Sequence, residues 1–188
     1  MTTKVFIAGS MGIKNLDPEV RKRIDNIIAQ DFEIIVGDAD GADTSVQWHL
    51  FNHGGNRATV FCSGPTPRNN VGDWAVESVI TKHAEGSRAF FTAKDLRMAE
   101  VADYGLMIWD AKSTGTLSNV IELLLRNKKS VVFVNKAKTF CNVGTVEQLE
   151  ELVNFMSEHA KNKADKKIGL LNRIESLKSE KAQASMFV

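Results

Sequence analysis

Three glycine-bearing turns contain the residues of this sequence that could bind or transform a ligand, and each follows a short apolar run. The first reads IAGSMG and contains Gly9 and Ser10, the second reads VGDADGAD from residue 36, and the third reads DAKSTGTLSN from residue 110. Glycine lets a backbone approach a ligand closely, and a helix that begins after such a turn offers unpaired N–H groups to an anion. Together the turns predict a phosphate-binding cradle.

Aspartates crowd the second turn, where Asp38, Asp40 and Asp43 lie within six positions. A carboxylate next to a sugar ring could stabilise positive charge at the anomeric carbon or orient a water, so Asp40 and Asp43 are candidate catalytic residues. Carboxylates that face a phosphate repel it unless an arginine or a cation intervenes, and Mg²⁺ could be that cation. In the simpler interpretation, Asp38 and Asp43 cap the following helix.

Four further residues could take part in a site. Arg68, in the loop SGPTPRNNVGDW, is either a second phosphate contact or a solvated loop residue. Trp109 ends a predicted strand beside the turns and could stack on a base. His49 and His53 could share one helix face as metal ligands, but the sequence offers no third ligand. We therefore interpret the two histidines as surface or packing residues and predict no metal site there.

Five apolar runs indicate the strands that hold these residues in place, and runs of this kind are typical of strands buried in a parallel sheet. The runs cover residues 4–8, 33–36, 58–62, 105–109 and 130–134. Helical patterns alternate with them, the first beginning at Asp17 and Pro18. The sequence predicts an α/β fold, a Rossmann-like doubly wound sheet of about five mainly parallel strands. The three turns should then lie at its carboxyl edge, where such sheets bind ligands.

Two regions depart from this alternation. Helices are expected near residues 74–83 and 93–103, between the third and fourth strands. After the fifth strand, Thr145 and Gln148 form a capping box, and apolar stripes follow. We expect a Rossmann-like domain over residues 1–140 and a C-terminal helical extension over residues 141–188, packed on that domain or on a partner subunit.

Composition excludes several classes of protein. The chain has 188 residues, of which 43% are hydrophobic, and only three prolines, so a disordered or fibrous protein is excluded. Its net charge of +1 creates no global field that would attract nucleic acid or a membrane, and we expect neither as a partner. The sequence has neither the pattern of a signal peptide nor a run long enough to span a membrane, so we expect a cytoplasmic protein.

The order of the turns resembles that of the SLOG superfamily, which includes the Lonely Guy (LOG) phosphoribohydrolases and the DNA-uptake protein DprA. The segments that carry the likeness are KVFIAGS, IVGDADGAD, LRMAEVADYGLMIWD and KSTGT, and it covers roughly residues 4–135. The similarity is closest to small members of the superfamily. The resemblance implies a Rossmann-like fold, a nucleotide or nucleotide-derived ligand, and a homodimer.

The resemblance also assigns roles within the third turn. In LOG enzymes this turn holds phosphate and supplies a catalytic Glu, and an Arg precedes the fourth strand. By this likeness residues 113–116 bind phosphate, and Arg97 takes the place of the arginine. Asn119 stands where the Glu would be, and an amide cannot act as a carboxylate base. Glu122, one helical turn further, is the remaining candidate.

Two functions are open at this point. The chain binds a nucleotide or nucleotide-derived ligand as a sensor or binding module, or it cleaves the N-glycosidic bond of a nucleoside monophosphate with Asp40, Asp43 or Glu122. Asn119 favours the first function and Asp40 the second, while a DNA-associated function would follow only by analogy to DprA. The predicted ligand-binding residues are Gly9, Ser10, Gly37, Asp38, Gly41, Ala42, Arg68, Arg97, Trp109, Ser113, Thr114, Gly115, Thr116 and Asn119.

Overall fold

The computed structural model describes residues 2–186 and contains one seven-stranded sheet flanked by helices on both faces. The strands are β1 Lys4–Gly9, β2 Glu33–Gly37, β3 Ala58–Ser63, β4 Ala75–Val79, β5 Tyr104–Trp109, β6 Lys129–Val134 and β7 Thr139–Val143. The helices are α1 Pro18–Ala29, α2 Ala42–Asn52, α3 Arg88–Val101, α4 Thr114–Leu125, α5 Val146–Val153, α6 Glu158–Ile168 and α7 Leu170–Ser185.

The sheet is doubly wound. Its strand order is β4-β3-β2-β1-β5-β6-β7, and every neighbouring pair is parallel except β6 and β7. Helices α1 and α2 supply apolar side chains to the core on one face, and α3 to α7 supply those of the other face. The predicted Rossmann-like α/β fold is confirmed, with strand order reversing between β1 and β5.

The predicted central strands form because their apolar runs are buried on both faces. Ile34, Ile35 and Val36 of β2 are each at most 1% exposed, as expected for a parallel strand between two helical layers. The first helix begins as predicted, since the Asp17 side chain accepts a hydrogen bond from the Glu19 N–H at 3.0 Å. Burial and capping therefore explain the part of the sheet that positions the turns.

Two strands were not predicted. The expected helix near residues 74–83 is wrong, because β4 lies there and pairs with β3. It is an edge strand whose residues are all partly or fully exposed, so it lacks the continuous apolar run that marks a buried strand. β7 is the opposite edge strand and turns back on β6. A half-exposed edge strand lacks the continuous apolar run by which the central strands are recognised.

The C-terminal helices belong to the same core as the sheet. Leu149 of α5 and Leu170 of α7 are almost fully buried in the cluster that also contains Trp109. The predicted boundary after residue 140 falls inside β7. Thr145 caps α5 as predicted, accepting from the Gln148 N–H at 3.3 Å. None of the helices within residues 2–186 is long and apolar enough to cross a membrane.

Candidate functional site

The three predicted turns meet at one edge of the sheet. They follow β1, β2 and β5, so all of them lie at the carboxyl ends of parallel strands. Because the strand order reverses between β1 and β5, this is the position at which doubly wound sheets bind ligands. We refer to this part of the sheet edge, around Ser10 and residues 110–116, as the edge crevice.

Ser10 joins the turns to one another. Its side-chain oxygen accepts a hydrogen bond from the Asp110 N–H at 3.1 Å and lies 3.4 Å from the Thr116 hydroxyl. Its carbonyl oxygen accepts from the Ala42 N–H at 3.4 Å. Ser10 is only 1% exposed, so it connects the turns instead of presenting its side chain to solvent.

Two of the predicted glycines make room for protein backbone. Gly41 has a φ of +84°, and a Cβ there would lie 2.1 Å from the Met11 carbonyl oxygen. A Cβ at Gly9 would lie 2.5 Å from the Ile108 carbonyl oxygen. Gly115 differs, since the nearest atom to a Cβ there would be 4.0 Å away. Of these three glycines, Gly115 is therefore the one that leaves space for a ligand.

The third turn presents the amino end of α4. Asp110 Oδ1 accepts from the N–H groups of Lys112 and Ser113 at 2.9 and 2.7 Å, and Ser113 caps the helix. The N–H groups of Thr114 and Gly115 have no hydrogen-bond acceptor among residues 2–186. An anion at this position would be stabilised by these donors and by the helix dipole.

Arg88 lies beside this helix end, although the sequence did not predict it as a site residue. Its Nη2 donates to the Thr114 hydroxyl at 3.4 Å, and its side chain is exposed. Arg88 is the first residue of α3, which begins before the predicted start at residue 93 because Ser87 caps it, accepting from the Phe90 N–H. A serine before helix-compatible residues is the signal that could have found it.

An ionic cluster lies beneath the second turn, formed by Asp38, Arg68, Lys94, Asp95 and Asp43. Arg68 donates from Nη2 to Oδ1 of Asp38 at 2.8 Å and from Nε to Oδ2 at 3.1 Å. The buried Lys94 lies 3.9 Å from Asp38 and donates to Asp95 at 2.8 Å. Asp38 is therefore an ion-pair partner and does not cap α2. Arg68 and Lys94 offset part of the negative charge of the three aspartates.

A close approach explains the glycine at the end of β2. A Cβ at Gly37 would lie 2.4 Å from Oδ2 of Asp43 and 2.7 Å from Nζ of Lys94. Gly37 thus lets the ionic cluster pack directly against the strand end. Like Gly9 and Gly41, it makes room for protein atoms.

Burial and ion pairing shift the pKa values of the cluster in different directions. Burial raises the pKa of Asp38, but hydrogen bonds from Arg68 outweigh burial and hold that pKa below its ordinary value. Burial raises the pKa of Asp43 to about 6, although Lys94 opposes the shift. Asp43 is 5% exposed, and its Oδ1 has no hydrogen-bond partner among residues 2–186. Asp43 is consequently an acid that ionises with difficulty.

The three candidate catalytic carboxylates do not converge on the edge crevice. Asp40 is exposed and accepts a hydrogen bond from a loop amide at 3.0 Å, while Asp43 is buried in the ionic cluster. Glu122 lies towards the far end of α4, where Arg126 and Arg173 pair with it. None of these three candidates therefore takes the place of the missing LOG-type Glu.

Neither Arg97 nor Trp109 presents its side chain to a ligand in the edge crevice. Arg97 donates to Glu77 at 2.8 Å and to Glu100 at 3.0 Å on the exposed side of α3. Trp109 is fully buried, and its Nε1 donates to the Ser113 carbonyl at 3.0 Å. The expectation that Trp109 stacks on a base is wrong, because its ring has no exposed face. It fixes the position of the third turn.

Most of the other predicted ligand-binding residues lie at the carboxyl edge, but few are exposed. Arg68 and Gly115 are exposed there, whereas Asn119 in α4 is only 6% exposed. A cavity of about 620 Å³ lies at the opposite, amino edge of the sheet, and its lining includes none of the predicted residues. The accessible chemistry of the edge crevice therefore comes from Arg68, Arg88, Lys112 and the start of α4.

Comparison with solved structures identifies the fold. DNA processing protein A (DprA) from Helicobacter pylori, in a structure described by its single-stranded DNA binding mode, matches with a TM-score of 0.57 and 19% identity, over 87% of this chain and 79% of that chain. The chain therefore has a fold similar to that of DprA. DprA from Streptococcus pneumoniae matches with a TM-score of 0.55 and 15% identity, over 81% of this chain and 56% of that chain. No protein-family model and no curated protein matches the sequence.

These comparisons confirm the resemblance at the level of the fold and correct one expectation. The net charge of +1 led to the expectation that nucleic acid is not a partner. That expectation is wrong for this fold, because a DprA protein with the same architecture binds single-stranded DNA. The net charge averages over the whole surface, whereas a nucleic acid responds to the local arrangement of positive side chains.

Proposed function

We propose that the edge crevice binds single-stranded DNA, with one backbone phosphate held at the start of α4. The observation that carries this proposal is the pairing of Arg88 with Thr114 beside two N–H groups that have no acceptor within the described chain. Backbone N–H groups at a helix start and an adjacent guanidinium are a recurrent phosphate-binding combination. Gly115 adds no side chain that would keep the phosphate away.

Exposed cations on both sides of this position support a strand as the ligand. Lys112 is exposed on the third turn, and Arg68 is 39% exposed on the loop after β3. The Arg68 guanidinium also lies 4.5 Å from the centre of the Phe91 ring. Phosphates of neighbouring nucleotides could contact these cations, and a guanidinium plane is a surface on which bases stack.

The alternative of N-glycosidic cleavage is not favoured by the site. Asn119 cannot supply a negative charge, and Glu122 is already paired with Arg126 and Arg173. Asp43 lies in the ionic cluster with Lys94, and Asp40 is exposed and accepts a hydrogen bond from the Asn69 side-chain amide. We therefore propose binding without turnover of the ligand.

The proposal is tested by fluorescence anisotropy with a labelled oligothymidylate of about 16 nucleotides, the upper end of a typical single-strand site. The binding constant is measured between about 50 and 200 mM salt, a range in which loss of phosphate contacts is readily seen. Arg88→Ala should weaken binding about fivefold or more and lower the salt slope by about one. Arg97→Ala is the matched control, because Arg97 lies on the same helix but pairs with Glu77 and Glu100.

Three results would contradict this function. One is no saturable binding of the oligonucleotide. A second is an equal loss of affinity in Arg88→Ala and Arg97→Ala, which would indicate unspecific attraction. The third is competition by a mononucleotide as effective as that by the strand, which would identify a small nucleotide as the ligand.

A further inference from the structure

A second cluster of chemically active side chains lies far from the edge crevice, between α1 and α2. His49, in the last turn of α2, and His53, directly after that helix, stack their rings with centroids 4.0 Å apart and an angle of 18°. The spacing of four residues places them on one face of the helix. The sequence lacked a third ligand for this pair, and the fold supplies one.

Asp25 of α1 is that third group. Its Oδ1 lies 2.7 Å from Nε2 of His49, although the two residues are 24 positions apart in the chain. One ligand atom from each of Asp25, His49 and His53 can be chosen so that all three lie within 4.8 Å of one another. This is the one such cluster of three His, Cys, Asp or Glu side chains found within residues 2–186.

We propose that Asp25, His49 and His53 form a binding site for a divalent transition-metal ion such as Zn²⁺. Two imidazoles and one carboxylate match the ligand preference of this class of ion, whereas Mg²⁺ and Ca²⁺ prefer oxygen ligands. Metal–ligand bonds of about 2.0–2.1 Å place tetrahedral ligand atoms about 3.3 Å apart. Because His53 is exposed and Asp25 is 46% exposed, their side chains are free to adjust towards this spacing.

The hydrogen bonds around His53 favour metal binding. Nδ1 of His53 lies 2.9 Å from the His49 carbonyl oxygen. A carbonyl oxygen only accepts, so Nδ1 carries the proton and the lone pair of the neutral ring is on Nε2. A second hydrogen bond of this kind fixes the tautomer of histidines that bind metals.

The fourth coordination position is open to water. Cavities of about 280 and 300 Å³ flank the cluster, and His49 and His53 line both. Arg21 also lines both cavities, but its Nε donates to the Leu16 carbonyl oxygen at 3.1 Å. A metal ion with three protein ligands and one water is compatible with these open cavities, and it would link α1 to α2.

Cobalt binding tests the site directly, because Co²⁺ replaces Zn²⁺ and absorbs visible light when coordinated. The full chain, without a histidine tag and treated with a chelator, is titrated with Co²⁺ and then with competing Zn²⁺. We expect saturation at one ion per chain and displacement by Zn²⁺. His53→Ala and Asp25→Asn should each weaken binding about tenfold or more.

His83→Ala is the control, because His83 is exposed and lies outside the cluster; it should bind Co²⁺ like the unmodified chain. Circular dichroism of each variant checks that the fold is retained, and His53 is replaced at an exposed position after a helix end, where folding is least at risk. No saturable absorption band, or equal affinity in His53→Ala and the unmodified chain, would overturn the proposal.

Discussion

Asp38 and Arg68 form a bidentate ion pair that joins the second turn to the loop after β3. The guanidinium donates to both carboxylate oxygens, and the Arg68 backbone N–H adds a third hydrogen bond at 2.9 Å. Asp38 is 3% exposed and Arg68 is 39% exposed. The pair thus compensates a buried negative charge while leaving part of the guanidinium available at the surface.

Loss of Arg68 should destabilise the protein. In Arg68→Ala the buried Asp38 would keep only Lys94, at 3.9 Å, as a cation, and we expect the free energy of unfolding to fall by about 2 kcal/mol. Arg57→Ala is the control, because the Arg57–Asp31 pair is exposed on both sides and should contribute less than about 1 kcal/mol. Urea unfolding measures both, and equal effects would refute a structural role of the Asp38 pair.

Asp43 should make stability fall as the pH rises from about 4 to about 6. Its pKa is about 6 in the folded protein against an ordinary value of 3.8 for an aspartate, so in this window the folded chain binds more protons than the unfolded chain. The stabilisation is complete below the unfolded pKa and lost as the pH passes the folded pKa. The change amounts to about 2–3 kcal/mol.

Asp43→Asn isolates this contribution, because the amide does not ionise. The difference in free energy of unfolding between Asp43→Asn and the unmodified chain, measured by urea titration at several pH values, should move in favour of the variant between pH 4 and 6. A difference that is constant with pH would show that Asp43 does not titrate there. Asp38 has a lowered pKa, so its stabilisation is lost only at lower pH.

Gly41 should be intolerant of a side chain. Its φ of +84° disfavours alanine, and the added Cβ would lie 2.1 Å from the Met11 carbonyl oxygen. We expect Gly41→Ala to lower the free energy of unfolding by about 2–4 kcal/mol. Gly54→Ala is the matched control, since Gly54 has a φ of +74° but no atom within 4 Å of the new Cβ. Thermal unfolding that ranks the two variants equally would exclude the steric part of this explanation.

Ser10 and Ser63 provide a second matched pair, because both are buried but only one is hydrogen-bonded. Ser10 Oγ accepts from the Asp110 N–H, whereas Ser63 Oγ has no partner among residues 2–186. Ser10→Ala should cost about 1–2 kcal/mol and Ser63→Ala close to nothing, or should stabilise. Chemical denaturation measures both changes, and the reverse ranking would contradict the role of Ser10 as a connector.

The sequence predicted the central strands and the three turns because their signals are local. A continuous apolar run such as residues 33–36 and a glycine directly after it can be recognised within a few positions. Edge strands were missed because they are half exposed. The start of α3 was also predicted too late in the chain. Arg88 was therefore assigned to no helix, although Ser87 caps α3.

The parts of the site that were not predicted depend on contacts between distant positions. Lys94 compensates Asp38 from 56 positions further along the chain, and Asp25 reaches His49 across 24 positions. No periodicity or spacing reports such contacts. The Arg97 assignment came from the position of an arginine in a related motif, and the fold instead pairs that side chain with Glu77 and Glu100.

The hydrogen bonds of Ser10 also bear on the thermodynamics of ligand capture. Because Ser10 ties the first turn to Asp110 and Ala42 within the protein itself, the floor of the edge crevice is already ordered when a ligand arrives. Preorganised backbone spares the complex the entropy of ordering a loop, so the conformational entropy lost on binding comes chiefly from the exposed side chains around the turns. Binding should therefore leave the turns in place and restrict chiefly the rotamers of Arg68, Arg88 and Lys112.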